Sequence, residues 1–189
     1  MEIIFLGENN FCPNSSRRIV SVAIRFDNYN ETCLLDCGES TQHYLLRSSL
    51  KSKHITNIMI SELSADSCLG IIGLLATFSL NERSIPLHIY APDKFCRYLR
   101  LFSRYSQTNF SYGVNIHSVY LGLVCQFSDY RIIACPTSRF SDNFGYSIVE
   151  KEKLGKFNIN KAIQLKIPFG PIYGKLKKKQ FFVNKWICT

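Results

Sequence analysis

The sequence predicts a layered α/β (α+β) fold, and three observations carry that reading. Short β-branched strand candidates alternate with helical stretches along most of the chain. Apolar residues make up 46% of the 189 residues and charged residues 20%, the balance of a globular chain with room for a real core. No apolar run reaches the roughly 20 residues needed to span a bilayer, so a membrane partner is not expected.

Residues 2–6 and 19–26 read as strands, the second alternating and β-branched. Residues 27–30 (Asp-Asn-Tyr-Asn) are turn-like, and Thr32–Leu35 forms a third strand. Ser40–Leu50 has a helical period with Tyr44, Leu45 and Leu46 inward and with Ser40 or Thr41 as cap. Ile55–Ile60 is a buried strand and Leu69–Leu80 a strongly apolar helix. Leu87–Tyr90 is a strand, followed by Pro92 and a helix to about Ser103. Asn115–Tyr120, Gln126–Phe127 and Arg131–Cys135 complete the strand candidates. The start of the chain, Met1-Glu2-Ile3-Ile4-Phe5, lacks the basic region and cleavage site of a signal peptide.

Charge divides the chain in two. Residues 1–150 hold 13 Lys+Arg and 13 Asp+Glu, whereas residues 151–189 hold ten Lys and one acid, Glu152, and so carry the whole net charge of +9. Phe157, Phe169, Tyr173, Phe181, Phe182 and Trp186 are interleaved with those lysines. Lysines with aromatic neighbours suit a nucleic-acid backbone, but a solvated segment whose aromatics pack together has the same composition. The domains are therefore read as 1–150 and 151–189.

The eight cysteines contain no C-x-x-C pair and read as free thiols serving as small hydrophobes. Ile (20), Asn (13), Lys (13) and Phe (14) are abundant while Ala (6) is scarce, the usage of AT-rich codons. That usage points to a plastid-encoded protein, with a bacterial or endosymbiont cytoplasm as the alternative.

Several motifs resemble one family. Ile60-Ser61-Glu62-Leu63-Ser64-Ala65-Asp66-Ser67 with Gly70, Gly73 and Leu74 resembles the T-H-x-H-x-D-H…G-x-x-G-L turn of metallo-β-lactamase-fold nucleases. Asp36-Cys37-Gly38-Glu39-Ser40-Thr41-Gln42 resembles the D-C-G-E-x-T-Q run of ribonuclease Z in particular. Phe5-Leu6-Gly7 with Pro13 and Arg17 resembles its opening loop, and Asn143-Phe144-Gly145-Tyr146 its F-G-Y strand. Gly170, Pro171, Leu176 and Lys177 match the G-P-x-x-x-x-L-K segment of its tRNA-gripping arm. The resemblance implies the N-terminal half of an αββα sandwich, with the second sheet largely absent, plus an exosite-like arm.

The resemblance also implies what has changed. Zinc sites need converging imidazoles and carboxylates with an open position for water. At the motif positions this chain has Glu62, Ser64 and Ser67, keeps Asp66, and has Arg139 where a further histidine belongs. These five residues read as a vestigial catalytic motif. Asp36 reads as a turn and cap former. Glu62 with Asp66 reads as a pair of exposed or capping carboxylates rather than a weak Mg²⁺ site. His43, His54, His88 and His117 show no ligand-like spacing and read as surface or packing residues. No cofactor is expected, although the family uses zinc.

RNA contact is assigned to Gly170, Pro171, Lys175, Lys177, Lys178 and Lys179, with Pro168 and Pro171 stiffening the arm and Gly170 and Gly174 letting it turn. The expected partners are tRNA or precursor tRNA, and a second copy or a full-length ribonuclease Z. Three functions follow: a non-catalytic tRNA-binding protein of tRNA 3′-end processing, an active endoribonuclease with an altered or partner-completed metal site, or a vestigial structural protein.

Overall fold

The structure, a computed structural model, describes residues 1–7, 20–26, 31–137, 142–151 and 157–177. The chain divides into two compact units, Met1–Val149 and Glu150–Thr189. In the first unit, six strands form one sheet in chain order: β1 (Glu2–Gly7), β2 (Ser21–Phe26), β3 (Glu31–Leu35), β4 (Ile55–Met59), β5 (Leu87–Ala91) and β6 (Val114–Ser118). The first three are antiparallel; β3 through β6 run parallel. Parallel strands need crossovers, and α1 (Thr41–Arg47), α3 (Ile71–Leu80) and α4 (Asp93–Ser106) supply them.

Both faces of this sheet are covered at its centre, which is why β4 is almost continuously buried. On the helical face, Ala23, Leu34, Ile58, Ile60 and Ile89 pack against Leu45 of α1, Leu74, Leu75 and Phe78 of α3, and Phe95 and Leu99 of α4. On the other face, Ile24, Phe26, Cys33 and Met59 meet Tyr130 and Ile132. These last two belong to a second sheet, β7 (Gly122–Gln126), β8 (Tyr130–Pro136) and β9 (Phe144–Glu150). Phe26 and Tyr130 stack at 4.0 Å with their rings 8° from parallel.

The second sheet is thus present as three strands rather than largely absent. Its inward residues Tyr130, Ile132, Tyr146 and Ile148 cover the larger sheet over Ile24, Phe26, Cys33 and Met59. Two local expectations also change. Leu46 points outward, 62% exposed, because only Leu45 and partly Tyr44 lie over α3 and the sheet. Neither Ser40 nor Thr41 caps α1 through its side chain; Ser40 adopts φ 66°, and Thr41 Oγ1 donates instead to the Gly38 carbonyl at 2.7 Å.

The second unit contains α5 (Ile159–Gln164) and α6 (Pro171–Lys177). Asn158 caps α5 by accepting from the Lys161 amide at 3.1 Å. Gly170 turns the chain into α6 with φ 155°, a region that favours glycine, and Pro171 opens the helix as its first residue. Gly174 lies inside α6, so it makes no second turn. Tyr173 gathers Phe157 and Phe169 at 4.7 and 5.3 Å and donates its hydroxyl to the Ile167 carbonyl. These aromatics therefore pack on one another. No helix of the described residues is long and apolar enough to cross a membrane.

Candidate functional site

The two motif segments meet at the C-terminal end of β4. Asp36 leaves β3 with φ 56°, a conformation that Asp tolerates better than most residues. Its carboxylate accepts from the Ser61 amide (Oδ1, 2.7 Å) and the Ser61 hydroxyl (Oδ2, 2.9 Å). The Cys37 amide donates to the Ser67 carbonyl at 2.8 Å, and the Gly70 amide to the Cys37 carbonyl at 2.9 Å. Thr77 donates to Gln42 Oε1 at 3.2 Å. The segment 36–42 is thereby pinned along the whole turn and the start of α3.

Ser64 caps the short helix α2 (Ala65–Cys68), its Oγ accepting from the Ser67 amide at 3.3 Å. Asp66 lies in the first turn of α2, where a carboxylate is favourable. Ser67 is buried, 7% exposed. Glu62 Oε2 accepts from the Asn143 side-chain amide. The Phe144 amide donates to the Ser61 carbonyl at 2.9 Å, and the Tyr146 hydroxyl to the Ile60 carbonyl at 2.8 Å. Residues 60–62 are therefore fastened to the beginning of β9, which joins the two sheets beside the turn.

Asn143, Tyr146 and Ser61 escaped sequence reasoning as site residues. They lie within recognised motifs, but no spacing rule marks them, because their partners lie 25 to 86 residues away. The histidines tell the same story. His88 Nδ1 and His117 Nε2 are 3.0 Å apart, since β5 and β6 pair Tyr90 with His117 and place His88 diagonally opposite. Arg139, Lys178 and Lys179 lie outside the described residues, as do Pro13, Arg17, Cys12 and Cys188. Lys175 is exposed on α6, and Lys177 ends it. The described cysteines are free thiols.

Burial dominates the electrostatics behind the turn. It pushes Asp36 up to about 6, against the two Ser61 hydrogen bonds that favour the ionised form; the nearby Glu62 charge adds to the rise. Burial likewise pushes the Cys68 thiol up to about 11. For Asp36 the folded state holds the proton more tightly than the unfolded chain. Its contribution to stability is complete below pH 3.8 and is lost as pH rises through about 6. Asp36→Asn should keep both contacts, with its carbonyl accepting from the Ser61 amide and its amide donating to Ser61 Oγ. The expected result is a flatter stability curve between pH 3.8 and about 6 in urea denaturation. An unchanged slope there would show that Asp36 is not the titrating group.

Two packed sheets, helices on the outer face of the larger one, and a strand-to-helix turn facing β9 define the metallo-β-lactamase fold. Human tRNase Z, short form, superposes with TM-score 0.72 at 27% identity, covering 79% of this chain and 65% of that chain. The metallo-β-lactamase fold protein YhfI from Bacillus subtilis superposes at 0.61 and 14% identity, covering 78% and 58%. No family model matches the chain. In sequence it is 42% identical over 178 residues to ribonuclease Z of Acaryochloris marina and 40% identical to that of a Picosynechococcus strain, in each case over 94% of this chain. The chain is a homologue of ribonuclease Z over 94% of its length. It spans 57% and 56% of the length of those two relatives.

The expectation of no cofactor is corrected by these relatives: ribonuclease Z proteins use zinc, and a further protein of this fold, PqqB from Methylobacterium extorquens, is described as Zn²⁺-bound. The donor set of this chain does not fit that metal at the turn. Among the described residues no group of three or more His, Cys, Asp and Glu is placed to hold an ion. Ser64 and Ser67 are instead used in capping α2, and Glu62 in holding Asn143.

Proposed function

We propose that this chain is a tRNA-binding member of the ribonuclease Z family, acting in tRNA 3′-end processing through its lysine-rich second unit, without catalysis of its own. One contrast carries the reading. Similarity to ribonuclease Z runs over 178 residues, yet the motif positions that resemblance assigns to ligands hold Glu62, Ser64 and Ser67. The Glu62 and Ser64 side chains are occupied in structural hydrogen bonds, and Ser67 is buried with its backbone amide donating to Ser64 Oγ. Gly170, Pro171, Leu176 and Lys177, by contrast, match the arm pattern, and all of the net +9 lies after residue 150. Lys175, Lys177, Lys178 and Lys179 would contact phosphates as point charges.

The partners of this reading are tRNA or precursor tRNA and, for cleavage, an intact ribonuclease Z that pairs with this chain. Plastid encoding is part of the proposal, supported by the AT-rich residue usage and by the cyanobacterial relatives. Gel shifts with precursor tRNA at rising salt test it. Binding should weaken steeply, with a log–log slope near −1 for each phosphate engaged, and the Lys175→Ala/Lys177→Ala double variant should flatten that slope by about 2. Trailer cleavage by the isolated chain would overturn the non-catalytic part. Absence of binding at low salt would overturn the whole.

A further inference from the structure

A second concave site lies away from the motif turn, at the opposite end of the strands. Arg25 and Phe26 at the end of β2, Thr32 at the start of β3, and Ser49, Leu50, Lys51 and His54 ahead of β4 line a cavity of about 320 Å³. That volume is at the lower end for small-molecule sites. Its chemistry is one-sided. From Ser40 to Ser61 the sequence has no acidic residue and contains Arg47, Lys51, Lys53, His43 and His54. Glu2 pairs with Arg25 and offsets one cation. Glu31, the acid on β3, is half-buried and accepts from the Tyr130 hydroxyl of the second sheet.

The wall that carries Lys51 and His54 is braced from behind. The buried Arg83 guanidinium donates to the Ser52 carbonyl at 3.0 Å and the Ile55 carbonyl at 2.6 Å. The Leu50 amide donates to Ser48 Oγ at 3.1 Å, and the His54 amide to the Lys51 carbonyl at 2.9 Å. A cationic loop held in a fixed shape loses little entropy on meeting an anion.

We propose that this cavity binds a phosphate group, held by Lys51, His54 and Arg25 with the Ser49 and Thr32 hydroxyls as further donors. A phosphate offers acceptor oxygens, and among the described residues every polar side chain lining the cavity can donate to it. The lining residues all belong to the first unit. The site does not depend on the second unit gripping tRNA.

Free His54 is held below its ordinary range by burial first and then by Lys53 and Lys51. A bound phosphate reverses the sign of its surroundings. The 189-residue chain is titrated with inorganic phosphate at constant ionic strength, with chloride as reference, following the His54 ring by NMR. Expected are saturation, an upward move of the His54 titration, and at least tenfold weaker binding in Lys51→Ala, an exposed position whose loss leaves the fold intact. Arg104→Ala, which removes an exposed cation on α4 instead, should bind phosphate as the parent does. Equal responses to phosphate and chloride, or indifference to Lys51→Ala, would overturn the site. Displacement of phosphate by precursor tRNA, lost in Lys51→Ala, assigns the phosphate to an RNA backbone. Saturable phosphate binding untouched by tRNA assigns it to a small phosphorylated ligand, even if the second unit proves to bind no RNA.

Discussion

Gly70→Ala is expected to destabilise the first unit by about 3 kcal/mol or more, the upper range for inserting one methyl group into a packed interior. A Cβ at position 70 would stand 1.9 Å from the Gly38 carbonyl oxygen, 2.7 Å from its carbon and 3.0 Å from the Cys37 carbonyl oxygen. All three are backbone atoms, and the Cys37 carbonyl is already the acceptor of the Gly70 amide. Nothing there can rotate aside. The loop that carries Asp36 would have to leave the turn. Gly73→Ala is the control. The three atoms nearest its Cβ would all belong to the Gln42 side-chain amide, the closest at 2.7 Å, and the helix gains up to about 1 kcal/mol of intrinsic propensity. Urea denaturation of both variants decides the matter: a Gly70→Ala midpoint equal to that of Gly73→Ala would show that the two segments are not in contact.

Arg83→Met carries the second large effect, also about 3 kcal/mol. Arg83 is 7% exposed and donates from three nitrogens to the carbonyls of Ile85, Ser52, Ile55 and Pro86. Its guanidinium lies 5.2 Å from the Phe78 ring centre and 5.5 Å from that of Tyr112. Burial lowers its proton affinity, but a guanidinium stays charged in proteins. Methionine fills the volume and leaves four carbonyls facing it. A loss of this size lowers Tm by roughly 6–12 °C for a chain of this length. Arg83→Lys should recover less than half of it, because one ammonium cannot span four acceptors on two segments. A melting temperature within 2 °C of the parent for Arg83→Met, on the same scale, would refute the assignment.

Neither effect is visible from spacing alone. Gly70 stands in a glycine pattern that sequence reading recognises, but its reason, the carbonyl groups of Gly38 and Cys37 lying against it, appears only in three dimensions. Arg83 looks like any loop cation in the sequence. The strands were legible because their covered faces demand apolar residues at fixed intervals, as in Ile55–Met59 and Leu87–Ala91. The extent of the second sheet was not, because β7 and β9 each keep one exposed face and so write a weaker apolar pattern.

What the sequence determined by itself is the family, the layered fold and the charge division at residue 150. Motif identity, periodicity and composition are local properties that survive without coordinates. Tertiary structure alone decided how the substituted turn is used. Glu62 holds Asn143, Ser61 holds Asp36, and His88 meets His117, because hydrogen bonds act over about 3 Å of space and are indifferent to separation along the chain. The same holds for the cavity of Arg25, Lys51 and His54, which three separate segments build together.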